Sequence, residues 1–244
     1  MRKLILIALS FVFATSTFSQ AKPAAKPPVK SSVKPATAAK PAIASGRLVE
    51  IKTDYGTMVV KLYDSTPLHR DNFIKLVKEK FYDSLLFHRV IQGFMIQGGD
   101  PQSKNADSGV ALGMGEAPGD MIPAEFNEHL YHKKGALAMA RTENPEKASS
   151  NCQFYIVEGK KYENDFLNQL ECNIRGGGNT GFYYDDAARK AYNTIGGTPF
   201  LDQNYTVFGE VIKGLEVIDK ISTVEKDSGD RPLKNVRMKM RMLN

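Results

Sequence analysis

Arg89 and Gln97 are the side chains in this sequence best suited to hold a small ligand. They lie in residues 87–100, which have the pattern of a strand, a turn at Gln92-Gly93 and a second strand that ends at a double glycine. A guanidinium and an amide among Phe and Met side chains form a mainly apolar pocket with a few fixed donors, as small-ligand sites usually are. An isolated strand arginine is more often a surface ion-pair residue, so the surrounding motif must decide between these interpretations.

Three other features have chemical interpretations that the sequence does not favour. His88 points to the face opposite Arg89, so a packed, hydrogen-bonded role is expected for it. His129 and His132 have the i, i+3 spacing of metal ligands, but no third ligand stands near them and a solvated loop is expected. The run 176–178 of three glycines lacks the Lys-Ser/Thr of a phosphate-binding loop and indicates a flexible joint. No metal or cofactor is predicted.

The elements that must position these residues are mostly short strands. Residues 47–63 contain two alternating apolar runs around Asp54-Tyr55-Gly56, which predicts a β-hairpin. A helix is expected from about Pro67 to Lys80 with Thr66 as its cap, and a second near Gly214 to Ser222. Further strands are predicted within 85–91, 94–97, 135–140, 153–157, 205–211 and 235–242. Many short strands between turn signals favour a mainly β fold, a closed antiparallel barrel capped by the two helices.

Residues 158–198 have a helical pattern and predict a helical hairpin inserted between two strands. Leu167, Leu170 and Ile174 share one helical face, and a second helical pattern runs over 187–195. The glycine run separates these two stretches. The insertion lies between strands of the candidate site, so it is expected to shape access to that site.

The sequence resembles the cyclophilin family of peptidyl-prolyl cis-trans isomerases in four ordered blocks that span residues 48–242. The first block resembles the family pattern Phe-His-Arg-x-x-x-Gly-Phe-x-x-Gln-Gly-Gly-Asp, and the others resemble its Gly-x-x-x-Met-Ala, Gln-Phe-aromatic-Ile and Leu-Asp…Val-Phe-Gly patterns. The matching residues are 87–100, Gly135 to Ala140, Gln153 to Ile156, and Leu201-Asp202 with Val207 to Gly209. The resemblance implies an eight-stranded cyclophilin-like barrel whose substrates are proline-containing polypeptides.

The resemblance also implies a role for each matching side chain. Arg89 would be the catalytic guanidinium, and Gln97 would donate to the substrate carbonyl. The proline pocket and the surface that binds the extended peptide would be formed by Phe94, Met95, Ala140, Arg141, Gln153, Tyr155, Phe200, Leu201 and Tyr205.

Three positions depart from the family pattern. Phe200 stands where tryptophan is common, and Tyr205 replaces a rim histidine. Arg141 replaces the usual asparagine, which keeps the backbone contacts and changes the charge of the subsite. Because the indole donor is missing at Phe200, weak cyclosporin binding is expected.

The first 46 residues predict export. Residues 1–20 contain a basic start, an apolar run from Leu4 to Phe13 and small residues at Thr17 and Ser19, which is typical of a secretory signal peptide. The apolar run is about half the roughly 20 residues that a membrane-spanning helix needs, so no stable membrane insertion is expected after signal removal. Residues 21–46 are rich in Lys, Pro and Ala and predict a disordered linker, with an envelope-contacting tether as the alternative.

The charge distribution excludes one class of function. Residues 1–46 hold seven of the 33 Lys and Arg residues and none of the 27 acidic residues, which leaves 26 basic against 27 acidic residues from Arg47 onward. The sequence pI near 9.1 therefore comes from the amino-terminal segment and gives no support for nucleic-acid binding. Cys152 and Cys172 are the only cysteines, and either a disulfide or two separate thiols is compatible with an exported protein.

The sequence thus predicts an isomerase domain over residues 47–244 that assists the folding of exported proteins in the periplasm or an equivalent exported compartment. Two alternatives remain open at this point. A non-catalytic proline-binding or chaperone module would use the same groove, although binding alone does not require Arg89. A structural envelope protein would have no X-Pro activity.

Overall fold

The computed structural model describes residues 47–243. The predicted signal peptide and linker lie outside the described residues. Within 47–243, no helix combines the length and the apolar character needed to cross a membrane.

Eight strands form one antiparallel sheet in the order β3-β4-β6-β5-β7-β2-β1-β8. The strands are β1 (Leu48–Thr53), β2 (Gly56–Leu62), β3 (Phe87–Ile91), β4 (Met95–Gly98), β5 (Ala136–Met139), β6 (Phe154–Val157), β7 (Val207–Lys213) and β8 (Met238–Leu243). The predicted hairpin is confirmed, because β1 pairs with β2 in an unbroken register across Thr53 and Gly56. Gly56 has a φ of 136°, which a residue with a side chain rarely adopts.

The sheet is an open half-barrel, so the prediction of a closed barrel is not confirmed. Its edge strands β3 and β8 share no ladder, and the segments before them meet only through an isolated bridge between Leu86 and Arg237 and adjacent backbone hydrogen bonds. Further along β3, the amide N–H of Val90 donates to the carbonyl of Asp230 at 2.8 Å, in the loop that precedes β8. A loop therefore covers this edge, which satisfies exposed backbone groups without closing the sheet.

Four α-helices accompany the sheet in the described range: α1 (Pro67–Lys78), α2 (Asn164–Gly176), α3 (Asp186–Thr194) and α4 (Leu215–Ser222). Helices α1 and α4 are the two predicted capping helices. Helices α2 and α3 form the predicted insertion between β6 and β7.

Thr66 holds the predicted N-cap position of α1, but its side chain does not cap the helix. The Thr66 side chain makes no capping hydrogen bond, whereas the Glu125 carboxylate accepts from the backbone N–H groups of Leu68 and His69, each at 3.0 Å. The negative charge of this carboxylate also interacts favourably with the positive end of the helix dipole. A residue far along the chain thus satisfies the orphan donors that a local cap would have taken.

The two faces of the sheet bury different clusters. Because side chains alternate along a strand, Phe154 and Ile156 point to the main core beneath α1 and α4, whereas Tyr155 and Val157 point to the other face. That second face carries a smaller apolar cluster that includes Met95. The insertion has a third cluster of its own.

The two cysteines are separate thiols in the structure. Cys152 is buried beside β6, and Cys172 is exposed on α2. Burial raises the pKa of the Cys152 thiol to about 12, so this group remains protonated at neutral pH.

Candidate active site

Strand register brings the predicted catalytic side chains together on the second face of the sheet. Arg89 pairs with Gln97 across β3 and β4, Gln97 pairs with Tyr155 across β4 and β6, and Tyr155 pairs with Ala138 on β5. Directly paired residues point to the same face, so the guanidinium, the amide and the phenol form one row. A register shift between Phe87 and Arg89 marks an irregularity in β3 next to this row.

A pocket of about 200 Å³ lies over this row. Nine of the eleven residues predicted for the site line it, and the remaining two do not. The lining residues are Arg89, Phe94, Met95, Gln97, Ala140, Arg141, Tyr155, Leu201 and Tyr205. Its walls combine the apolar side chains of Phe94, Met95, Ala140 and Leu201 with two guanidinium groups and an amide as donors, which fits one small apolar group held by a few directed hydrogen bonds.

The Arg89 side chain is free to bind a ligand. It is exposed, and among residues 47–243 it makes no hydrogen bond or ion pair. A guanidinium carries five N–H donors in a fixed plane, and all five remain available at the mouth of the pocket.

Gln153 is buried next to the pocket and does not line it. Its amide nitrogen donates to the carbonyls of Gly113 and Gly115 at 3.0 and 2.8 Å, and its amide oxygen accepts from Gln97 at 3.2 Å. The role of Gln153 in binding a peptide stays a prediction. The loop that contains Gly113 and Gly115 fixes Gln153, which in turn orients the Gln97 amide.

Phe200 also lies outside the pocket, at its rim. It belongs to a short 3₁₀ turn over Pro199–Leu201, its side chain is 43% exposed, and its ring centroid is 5.7 Å from that of Phe94. The neighbouring Leu201 lines the pocket. Phe200 thus extends the apolar surface outward from the pocket mouth.

Arg141 contributes its side chain to the rim as well as its backbone. The guanidinium lies 4.8 Å from the ring centroid of Tyr205, and its Nε donates to the carbonyl of Asn204 at 2.9 Å. The stacking and the hydrogen bond hold a positive charge in place beside the pocket. The sequence predicted that Arg141 changes the charge of the subsite, and the structure shows where its guanidinium is held.

The pocket floor is held by a buried polar network centred on Asp202, which the sequence reasoning missed. Asp202 Oδ1 is 2.6 Å from His132 Nδ1, and His132 Nε2 is 2.9 Å from the Tyr155 hydroxyl. Asp202 Oδ2 accepts from the hydroxyls of Tyr184 and Tyr192 in the insertion, at 2.9 and 2.5 Å. Burial raises the pKa of Tyr155 well above its ordinary value, so the phenol stays protonated.

The prediction of a solvated loop around His132 is wrong, because this side chain is fully buried in the network. Its neighbour His129 is exposed, as predicted. Asp202 belonged to the Leu-Asp block of the family pattern, so the signal was present, but the sequence did not show which side chains converge on it.

His88 is buried on the face opposite Arg89, which confirms its packed position but not its predicted hydrogen bonds. The side chain is 3% exposed and neither ring nitrogen has a well-formed hydrogen bond, although the Leu86 backbone lies near. Burial lowers the pKa of His88 to about 4, against a smaller opposing effect of Asp100. The imidazole is therefore neutral at pH 7 and takes no part in the pocket.

Glu158 anchors the turn that carries Phe94. Its carboxylate accepts from the backbone N–H of Gly93 at 2.5 Å and from the Ser222 hydroxyl at 2.7 Å. The Phe94 carbonyl accepts from the backbone N–H groups of Glu158 and Gly159, each at 3.0 Å. An acidic residue directly after a buried strand was the only sequence signal for this anchor.

In the described part of the chain, no three His, Cys, Asp or Glu side chains come together as metal ligands would.

Comparison with known proteins identifies the class to which this fold and pocket belong. The family model described as cyclophilin type peptidyl-prolyl cis-trans isomerase/CLD matches residues 48–241. A putative peptidyl-prolyl cis-trans isomerase of Staphylococcus haemolyticus is 36% identical over 191 residues, which cover 77% of this chain and 86% of that protein. The chain belongs to the cyclophilin-type peptidyl-prolyl cis-trans isomerase family and is an enzyme of that class.

Two further similarities define the extent of the match. A putative bifunctional phosphatase/peptidyl-prolyl cis-trans isomerase of Streptococcus pyogenes is 37% identical over 195 residues, but this chain spans only 37% of its length. The crystal structure of a Cryptosporidium parvum cyclophilin type isomerase has a TM-score of 0.58 and 22% sequence identity, and covers 82% of this chain and 98% of its own. A second structure of that protein, determined in the presence of the dipeptide Ala-Pro, has a TM-score of 0.56.

Proposed function

We propose that this enzyme isomerises X-Pro bonds by placing the proline ring in the 200 Å³ pocket and the Arg89 guanidinium beside the proline nitrogen. Phe94, Met95, Tyr155 and Leu201 surround the ring with apolar surface. One N–H of the Gln97 amide donates to Gln153. The other N–H donates to the carbonyl of the residue before the proline. Arg141 and Tyr205 bound the groove in which the extended peptide lies.

The reaction requires rotation about one amide bond and no covalent intermediate. The barrier near 20 kcal/mol comes from conjugation of the nitrogen lone pair with the carbonyl. Conjugation is lost when the bond twists and the proline nitrogen becomes pyramidal, and the freed lone pair then accepts a hydrogen bond. An Arg89 N–H that donates to this nitrogen stabilises the twisted state selectively, which is the requirement for catalysis.

The observation that carries this proposal is the unpaired Arg89 guanidinium directly opposite Gln97 at the mouth of a pocket lined by Phe94, Met95 and Leu201. A structural arginine at this position would have a carboxylate or carbonyl partner. The test is a protease-coupled assay with a short X-Pro peptide, in which the parent is expected to accelerate isomerisation and Arg89→Ala to lose most of the acceleration. Equal rates with and without the parent enzyme would contradict the proposal.

We further propose that the chain is a secreted enzyme in three parts: a signal peptide (1–20), a linker (21–46) and the isomerase domain (47–244). The basic, apolar and small-residue order of the first 20 residues supports export. An exported isomerase has newly secreted polypeptides as its substrates, and their slow X-Pro bonds limit folding. Cell fractionation tests this proposal: recovery of the full-length precursor in the cytoplasmic fraction would contradict it.

A further inference from the structure

A second cavity, of about 470 Å³, opens beside the proline pocket and is not part of it. Helix α2 of the insertion forms one side through Leu170 and Ile174. The turn Pro199–Leu201 forms the other side through Pro199 and Phe200. Phe126 and Lys147 close its end. We call this space the insertion cavity.

The insertion cavity adjoins the proline pocket along the segment 199–205. Phe200 lines the insertion cavity, whereas the next residue, Leu201, lines the proline pocket. The Phe200 ring also lies 5.7 Å, centroid to centroid, from Phe94 of the proline pocket. An extended polypeptide advances about 3.3–3.6 Å per residue, so one chain can occupy both spaces with a separation of two to four residues.

The walls select for a large, uncharged side chain. Leu170, Ile174, Pro199, Phe200 and Phe126 present apolar surface, and removing such surface from water is the main source of affinity in a site of this kind. The cavity is too large to be filled by a methyl group. An aromatic or long aliphatic side chain fits this surface.

The charge in the insertion cavity disfavours a basic side chain. Lys147 lies at its end, with its amine 2.9 Å from the Gln203 carbonyl, 2.8 Å from the Asn204 amide oxygen and 5.6 Å from the Phe126 ring centroid. These three contacts fix the positive charge in place. Asp202 also lines the cavity, but both its carboxylate oxygens are engaged by His132 and the insertion tyrosines, so it offers no free oxygen to pair with a basic side chain of a ligand.

We propose that the insertion cavity is a specificity subsite that takes an aromatic or large aliphatic residue of the polypeptide substrate, two to four residues from the isomerised proline. The proposal rests on the proposed function of the adjacent proline pocket. It makes the insertion a determinant of substrate choice, whereas Arg89 and Gln97 carry the chemistry. Substrates with Lys or Arg at the same position are selected against.

The experiment measures KM by exchange NMR with an alanine-based peptide that contains one proline. Phe, and separately Lys, replaces Ala at each position two to four residues before or after the proline. The full chain is compared with Asn173→Trp, which fills the cavity from an exposed lining position of α2. Gln169→Trp is the matched control, because this residue is exposed one turn earlier on α2 and does not line the cavity.

In the parent and in Gln169→Trp, Phe at one position is expected to lower KM by about five- to tenfold relative to the alanine peptide. Lys there is expected to give no such gain. In Asn173→Trp, the KM values of the Phe and alanine peptides are expected to lie within about twofold of each other, since the cavity is filled. Absence of a favoured Phe position in the parent, or its persistence in Asn173→Trp, would overturn the subsite. Failure of the parent to isomerise the alanine peptide would instead overturn the proposed function and the subsite with it.

Discussion

Arg89 has the features of a side chain kept for a ligand. It stands exposed on the short strand β3, opposite Gln97, and the described residues offer it no counter-ion. The Gln97 amide, by contrast, is held in place, because its nitrogen donates to the amide oxygen of Gln153. One donor is therefore free to follow the twisting substrate and the other is fixed, which suits a reaction in which one side of the bond rotates and the other stays in place.

Replacing Arg89 with alanine is expected to lower kcat/KM by about tenfold or more, because a charge-assisted hydrogen bond made only in the twisted state is lost. The free energy of unfolding should change by no more than about 0.5 kcal/mol, as expected for an exposed, unpaired side chain. Arg89→Lys keeps the charge without the planar fork and should retain part of the activity. Peptide kinetics and urea denaturation measure the two effects, and activity of Arg89→Ala equal to the parent would refute the assigned role.

His88 is expected to destabilise the protein in acid. The pKa of His88 is lowered to about 4 in the folded protein, from an ordinary value of 6.5, so the unfolded chain binds more protons between these pH values. The free energy of unfolding therefore falls as pH drops through this window, by about 3 kcal/mol for this group. Urea denaturation at pH 7 and pH 4 should show a smaller loss in His88→Gln than in the parent. Equal losses would mean that His88 is not the group responsible.

Cyclosporin is expected to bind weakly, and Phe200→Trp should bind it more tightly. Phe200 lies half-exposed at the rim and has no N–H to donate. A buried ligand carbonyl left without a donor costs about 1 to 3 kcal/mol, or roughly five- to 150-fold in affinity. Turnover should change less, because substrate contacts Phe200 as an apolar wall. Inhibition of the two proteins in one peptide assay tests this, and equal inhibition would assign control of drug access to Tyr205 or the insertion.

Site residues that sit in one local motif were predictable, and those joined through the tertiary fold were not. The strand–turn–strand pattern placed Arg89 and Gln97 in one candidate pocket from sequence alone, and the structure adds that they are paired across β3 and β4. By contrast, the sequence around His132 predicts a solvated loop, because the burial of His132 depends on Asp202, 70 residues away. For the same reason, the sequence did not show that the Gln153 amide donates to the carbonyls of Gly113 and Gly115.

At the scale of elements, the insertion and the sheet share one buried hydrogen-bond network. Tyr184 and Tyr192 from the insertion reach Asp202, and His132 passes the contact on to Tyr155 of β6. The insertion thus packs through its own apolar cluster and is tied to the proline pocket by these polar groups. Because buried polar groups are costly to leave unpaired, this link fixes the orientation of α3 relative to the sheet.

Removing one hydroxyl from this network should destabilise the protein measurably. In Tyr192→Phe, Asp202 loses one of its donors, which is expected to lower the free energy of unfolding by about 1 to 3 kcal/mol. The matched control is Tyr183→Phe, since the Tyr183 side chain is 55% exposed and donates no hydrogen bond in the described structure. Urea denaturation of both variants measures the difference. Equal stability of the two variants would show that the Asp202 network does not hold the insertion.

The types and order of the elements were predictable, whereas sheet closure and helix capping were not. Alternating apolar residues fixed the hairpin over 47–63, and the helical face of the insertion predicted α2. Sheet closure depends on which segment covers the edge of β3, and that segment is the loop at Asp230. The cap of α1 comes from Glu125, whose distance along the chain gave no local signal.

Over the whole molecule, the charge and the apolar core are divided between different segments. The main core uses residues from β1 near the start of the described range to β8 at its end. The excess of basic residues lies before it, in residues 1–46. The pockets described above are likewise lined by residues of 47–243.

Removal of residues 1–46 is therefore expected to leave kcat/KM for a short, uncharged X-Pro peptide within about twofold of that of the chain without its signal peptide, and the urea midpoint unchanged. The physical reason is that strand β1 begins at Leu48 and is paired along its length with both β2 and β8. Binding to anionic vesicles should differ between the two proteins, because 21–46 carries five lysines and no acidic residue, and this difference should shrink as salt is raised. Peptide kinetics, urea denaturation and vesicle sedimentation on the same preparations separate these effects. A large fall in kcat/KM or in the urea midpoint would show that the amino-terminal segment packs on the isomerase domain, and equal vesicle binding would exclude it as an anionic-surface tether.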